Sequence, residues 1–389
     1  MVRRASIQDA RGPRALTADT DALLPLSAID TNDWRSLSER AVEPNGYYLP
    51  EWEISVNASA RGRTDASALA AWHEARLVGL LPVVSMARAY KIPLPALVSA
   101  HPYGTLCTPP LDRAISDDAV TQLMEQARKA GARALILRDM SLDGPAMKAV
   151  AESLGREALR PRVLQSYLRA SLEATREAET LLQDALGAKK LKELRRQRHR
   201  LAEHGAVNFD VARSPNEVTA AIETFMKLEA SGWKGARGTA LAQDEGDAAF
   251  IRRATAALAE TGQCEIATLR AGDTPVAAAI VLRHQDRAFY FKLGVDERFA
   301  KFSPGVQLTL DLTRHLCADP AIASADSTAS PDHPMINPIW RGRFAIGDVL
   351  IPLRKNDPVV SVIHAALVLR QFALDLARRV IHLIRHKRG

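Results

Sequence analysis

Glu265-Ile-Ala-Thr-Leu269, Ala271-Gly-Asp-Thr274 and Val276-Ala-Ala-Ala-Ile-Val-Leu-Arg283 read as a strand, a tight turn and a second strand. A turn at Asp286-Arg287 leads into a third strand over 288–295. Pro304-Gly305 then opens a helix carrying Val306, Leu308, Leu310 and Leu312, and a strand over 321–325 ends in Asp326. The same order stands some 190 residues earlier. A strand over 68–72 turns through 73–76 into a strand over 77–86, and a Pro- and Gly-rich stretch follows at 93–110. A helix starting near Asp117-Asp118 places Val120, Leu123, Met124 and Ala127 on one face, Gly131 ends it, and a strand over 134–137 runs towards Asp139. Two related α/β units are therefore expected. The division is a lead-in over 1–40, an N-terminal unit over 41–170, a C-terminal unit over 171–353 and a helical tail over 354–389.

The chain has 389 residues, 47% of them hydrophobic and 25% charged, enough apolar material for two ordinary cores. Aromatics are only 5%, which argues against base-stacking platforms. The formal charge of +7 is unevenly placed. Residues 189–200 hold Lys189, Lys190, Lys192, Arg195, Arg196, Arg198 and Arg200 against Glu193, and residues 354–389 hold eight bases against Asp357 and Asp375. Each segment is net +6, so the remainder is net −5. Two basic devices sit on a mildly acidic body, a pattern that favours local anion contacts over general nucleic-acid binding. Cys107, Cys264 and Cys317 are widely spaced, which offers no zinc pattern and fits a reducing compartment. No apolar run follows Met1-Val-Arg-Arg4, so no signal peptide is expected. The longest apolar candidate for a membrane span, 358–369, is interrupted by His364 and ended by Arg370, short of a crossing.

Between the units, 175–187 reads as a helix. It is followed by the basic helix 189–204, with Leu191, Leu194 and Leu201 as a narrow apolar stripe. After it, 215–230 is an amphipathic helix with Ser214 as its N-cap. Four phrases belong together: Leu191-Lys-Glu-Leu-Arg-Arg-Gln-Arg-His-Arg-Leu201, Leu228-Glu-Ala-Ser-Gly-Trp-Lys-Gly235 with Gly238-Thr239, Phe289-Tyr-Phe-Lys-Leu-Gly294, and Lys301-Phe-Ser-Pro-Gly305. With them the chain resembles the GNAT acyltransferases over residues 187–340. More narrowly, it resembles the branch associated with bacterial cellulose and exopolysaccharide biosynthesis. Its layout is similar to the tandem GNAT-like domains of Fem-type peptidyltransferases. The resemblance implies an α/β fold with two mixed-sheet domains and acetyl-CoA or another acyl-CoA as co-substrate, without a metal. The alternative it leaves open is an aminoacyl-tRNA donor, because of the usual two glycines of the GNAT phosphate loop only Gly305 is present.

On that resemblance, Lys301, Ser303 and Gly305 would meet the donor's pyrophosphate at a helix start, where backbone donors and the helix dipole favour anions. Leu293 and Gly294 would lie on the strand that pairs with the pantetheine arm. Glu229 would act as a general base, with Trp233 and Lys234 beside the acceptor, and Lys192, Arg195 and Arg196 would contact acceptor phosphates. The loop Asp326-Ser-Thr-Ala-Ser-Pro-Asp-His333 offers His333 as a base near neutral pH. Asp332 or Asp326 would orient it, and Ser327 would contact substrate. The absence of a Gly-x-Ser-x-Gly elbow disfavours a covalent serine route, and the resemblance implies direct transfer to an amine or hydroxyl on a sugar or envelope precursor. The tail, with Val359, Val362, Ile363, Ala366, Leu369, Ala373, Leu376, Val380 and Ile384 on one broad face, would dock on its own domain or lie on an anionic membrane. A cytoplasmic enzyme, either free or peripheral to the membrane, is the main expectation. A non-catalytic protein binding membranes or nucleic acid through its basic helices is the rival.

Overall fold

The strand β9 (Thr274–His284) shows how the fold is held. Ala277, Ala279 and Val281 enter one apolar core, while Ala278, Ile280 and Leu282 enter another on the opposite face. A strand buried on both faces and rich in alanine lets helices approach closely from each side. The computed structural model describes residues 22–232, 235 and 237–386. Among them, twelve strands form one sheet in the order β1-β2-β3-β4-β5-β12-β6-β11-β10-β9-β8-β7.

In chain order, β1 (Leu24–Pro25) precedes α1 (Thr31–Glu39) and α2 (Pro50–Ser59). The hairpin β2 (Ser67–His73) and β3 (Arg76–Ser85) follows, then α3 (Met86–Tyr90) and β4 (Ala96–Ser99). Next come α4 (Ser116–Lys129), β5 (Ala134–Ser141), α5 (Pro145–Arg156) and β6 (Arg162–Glu173). The second half runs through α6 (Ala178–Leu201), β7 (Val207–Ala212), α7 (Pro215–Ser231) and α8 (Glu245–Glu260). It continues with β8 (Cys264–Ala271), β9, β10 (Arg287–Val295), α9 (Pro304–Cys317) and β11 (Ser324–Asp326), and closes with β12 (Gly342–Pro352) and α10 (Pro358–His386).

The fold is mixed α/β, and each half repeats one parallel pair inside an otherwise antiparallel run: β4 with β5 and β10 with β11. The halves are not sealed from each other. β12 crosses back to pair with β5 and β6, while β6 pairs with β11, so the expected boundary at residue 170 falls inside a shared strand. The expected lead-in over 1–40 contains α1, capped by Asp30, with Trp34 and Leu37 fully buried. Residues 1–21 lie outside the described set. The two helices expected at 175–187 and 189–204 are α6, broken at Gly187, whose positive φ of 70° interrupts the helical path. Ser214 and Glu217 form a capping box at the start of α7.

His284 fastens the halves. Its Nδ1 accepts from Asn45 N–H at 2.8 Å, and its Nε2 lies 3.0 Å from Ser38 O. These contacts set a neutral ring with the proton on Nε2, and burial lowers its pKa to about 4. A histidine depressed in the folded state is stabilising above its unfolded pKa. That contribution is lost as pH falls from about 6.5 towards 4, on the order of 3 kcal/mol in all. Urea denaturation across this window should show falling stability in the wild type and a flatter profile in His284→Gln. Parallel profiles would remove His284 from the acid transition.

Candidate active site

The parallel pairing of β10 with β11 is short: Arg287, Ala288 and Phe289 face Ser324, Ala325 and Asp326. Beyond it β10 continues to Val295, while the chain after β11 turns away at Ser327. The strands therefore part. Thr328, held in the left-handed region at φ 49°, donates its Oγ1–H to Tyr290 O at 2.7 Å and closes the inner end of the fork. A register shift between Tyr290 and Lys292 marks a bulge on the β9 side. The resulting cavity, about 360 Å³, is lined by Leu228, Glu229, Tyr290 to Val295, Ser327 to Ala329, His333, Met335 and Ile336.

The corresponding fork in the N-terminal half is filled by its own chain. Cys107 N–H donates to Asp139 O at 3.2 Å, and Ser141 N–H donates to Thr108 Oγ1 at 3.0 Å. Leu106, Cys107 and Thr108 are fully buried there. Burial pushes the Cys107 and Cys264 thiols up, so neither is poised as a nucleophile.

One wall of the open cavity is the end of α7. Gly294 is required here: a Cβ on it would stand 2.9 Å from Glu229 N and 3.2 Å from Phe225 O, so its glycine character serves helix–strand contact. Glu229 is 2% exposed, accepts from Leu241 N–H at 2.9 Å and is paired with Lys292 Nζ at 3.2 Å. Lys292 Nζ also lies 5.8 Å from the Phe291 ring centroid. Sequence reasoning missed Lys292 because a basic residue inside an aromatic strand carries no marker of its own; only the bulge could have singled it out. Trp233 and Lys234, expected beside the acceptor, lie outside the described residues.

The loop after β11 forms the other wall, and it corrects the expected roles of its carboxylates. Asp326 does not reach His333. It is fully buried in an ion pair with Arg169 of β6, and its other oxygen accepts from Thr328 N–H at 2.9 Å. Arg169 in turn donates to Thr105 O and Thr105 Oγ1. Asp332 is exposed, away from the cavity lining. His333 does line the cavity, and its Nδ1 accepts from Met335 N–H at 3.3 Å and Ile336 N–H at 3.4 Å. A neutral ring held this way carries its proton on Nε2 and offers a donor, so service as a base would require giving up both backbone bonds. Ser327, also on the lining, is 4% exposed and fixed by Ser327 N–H to Ala170 O at 3.1 Å.

α9 begins against this cavity. Ser303 takes a left-handed conformation (φ 54°) and makes no side-chain cap. Gly305 is buried, and a Cβ there would meet Leu293 Cδ2 at 2.9 Å and Val295 Cγ2 at 3.2 Å, so this glycine answers to packing against β10. Beside the helix start lies a second cavity, about 350 Å³, lined by Arg196, Gln197, Arg200, Glu203, His204, Lys301 and Phe302. Of the bases expected to meet phosphates, Arg196 and Lys301 face this space. Lys192 and Arg195 are exposed on α6 and line neither cavity. Among the described residues, no group of three or more His, Cys, Asp or Glu side chains is arranged to hold a metal ion.

Residues 188–332 match the acetyltransferase (GNAT) domain family. The chain thus carries a GNAT acetyltransferase-like domain, and the match spans α6 through the loop after β11. No curated protein matches the sequence. Among solved structures, one described as the C-terminal domain of a putative lysylphosphatidylglycerol synthetase from Agrobacterium fabrum is similar in fold. Its TM-score is 0.54 at 15% identity, covering 88% of this chain and 96% of that one. FemX is similar with TM-score 0.54 and 12% identity, covering 86% and 98%. A protein of unknown function from Bacteroides thetaiotaomicron gives 0.53 and 12%, covering 84% and 98%. At these identities the likeness concerns the fold alone, and it extends over both halves of the chain.

Removing Asp326 leaves Arg169 buried without its counter-charge, which costs about 3–5 kcal/mol. Asp326→Ala should therefore lose that much in urea denaturation. Full stability with impaired chemistry alone would restore a purely catalytic role for Asp326.

Proposed function

We propose that this protein is an acyl-CoA-dependent acyltransferase that passes an acyl group directly to an amine or hydroxyl of a sugar, polysaccharide or envelope precursor. The observation that carries the reading is the open fork between β10 and β11, beside an uncapped helix start and a basic cavity, where the other half's fork is plugged. The acyl arm would lie along β10 past Leu293 and Gly294. The phosphates would meet the first turn of α9 together with Lys301, Arg196 and Arg200. The acceptor would enter from the Glu229 side. Its nitrogen or oxygen forms the new bond to the acyl carbon, the C–S bond breaks, and the sulfur leaves as the thiol with the proton that Glu229 has removed from the acceptor. Glu229, fixed by Lys292, holds the acceptor and takes its proton, while His333 Nε2–H donates to the developing oxyanion. The restriction to exopolysaccharide chemistry rests on the quoted sequence phrases, and a cytoplasmic location goes with a CoA-linked donor and the three widely spaced cysteines.

The second reading, aminoacyl transfer from charged tRNA, draws on the exposed bases of α6 and on the likeness to FemX. Calorimetric titration separates the two. Saturable acetyl-CoA binding, weakened at least about tenfold in Arg196→Glu/Lys301→Glu, supports the CoA reading. Binding of tRNA without acetyl-CoA binding supports the alternative. With an amino-sugar acceptor panel, Glu229→Gln should lower kcat by about 10²–10⁴-fold while acetyl-CoA affinity is kept. Retained turnover in both Glu229→Gln and His333→Ala would remove these assignments.

A further inference from the structure

The C-terminal helix α10 uses one narrow seam for the protein and leaves its broad apolar face bare. Val360, Ile363 and Leu367 are buried against Met86, Val98, Ile136 and Leu350. The spacing of three and four residues makes this a single helical stripe. On the outer side Val362 is 54% exposed, Leu369 68%, Phe372 66% and Leu376 53%. Large apolar side chains at positions 362, 369 and 376 recur every seven residues, so they fall on one line, with Phe372 alongside. Solitary exposed leucines are ordinary, but a continuous apolar stripe along a helix marks a contact surface. Of the face expected from the sequence to dock on the domain or lie on a membrane, Ile363 and Val359 pack on the domain, while Val362, Leu369 and Leu376 are left open.

We infer that this face, with the basic end of the chain, seats the protein on the surface of an anionic lipid bilayer. Charge decides the occupant. After Ala377 the sequence supplies Arg378, Arg379, Arg385, Lys387 and Arg388 without a single acidic residue, and Arg370 precedes them over the Tyr90 ring at 4.5 Å. Apolar side chains followed by clustered bases match an acyl layer beneath anionic headgroups. Two copies of the same helix would bring like charges together, which disfavours self-pairing. The segment Pro358–Ala377 is long and apolar enough to cross a bilayer by length and composition, longer than the sequence reading of 358–369 allowed. Its first turns, however, are fastened to β4, β5 and β12 through Val360 and Ile363, and Arg370, Gln371 and Asp375 interrupt its middle. A helix anchored along one side lies in the interface plane and does not span.

Co-sedimentation of the full chain with phosphatidylglycerol-containing and pure phosphatidylcholine vesicles tests this. Binding to the anionic vesicles, released by high salt and reduced at least about tenfold in Leu369→Glu/Phe372→Glu, is expected. Both positions are more than half exposed, so the substitutions leave the core intact; a circular-dichroism melt matching wild type verifies this. Wild-type-like binding by the double variant overturns the proposal, as does failure to bind anionic vesicles. A dimer in sedimentation velocity that this variant splits, with vesicles unbound, would assign the face to a second copy. Extraction only by detergent would instead mean a spanning helix.

Discussion

The ion pair between Arg169 and Asp326 joins a strand of the first half to the last core strand of the second, in a place where neither charge meets water. Two bare charges there would be untenable, and the surroundings supply most of the partners, although Arg169 Nε has none. Thr105 accepts from the guanidinium, the Thr328 N–H satisfies the second carboxylate oxygen, and the Phe344 ring centroid lies 5.5 Å from the guanidinium carbon. The consequence is positional. By holding Asp326, the pair ends the β10–β11 ladder at one residue. By fixing Thr328, it sets where the strands part. The cavity begins where this network stops.

The contrast between the halves follows from the same geometry. Both contain a parallel pair that separates, and both need partners for the backbone groups released by the separation. The first half fills its fork with residues 106–108, making a solid core. The second leaves its fork to be lined by side chains, with glycine at 294 and 305 allowing α7 and α9 to close in on β10. Two halves of like topology thus differ: one has a solid core where the other has a cavity.

Much of this was legible in the sequence. The turn residues and alternating apolar runs gave the order of strands and helix in each half, the Gly187 break and the α7 cap, because these depend on neighbours close in the chain. By contrast β4, inside the Pro- and Gly-rich stretch 93–110, and hence the first parallel pair, did not show. The exchange of β6 and β12 was not legible. Arg162–Glu173 carries exposed Val163 and Leu168 and a buried Arg169, so its alternation follows partners more than 150 residues away. Site residues divide the same way. His333, Glu229, Ser327, Leu293 and Gly294 do line one cavity. The pairing of Asp326 with Arg169, the exposure of Asp332 and the placement of Lys292 by a bulge are tertiary facts that spacing cannot encode.

The proposed function requires a donor in the fork of the second half, between β10 and the start of α9. Hydrogen–deuterium exchange with and without acetyl-CoA reads this directly, since each backbone amide reports on its own surroundings. Protection confined to residues 290–295 and 303–307 is the predicted result. Protection centred on 96–108 in the first half, or none at saturating ligand, would contradict it.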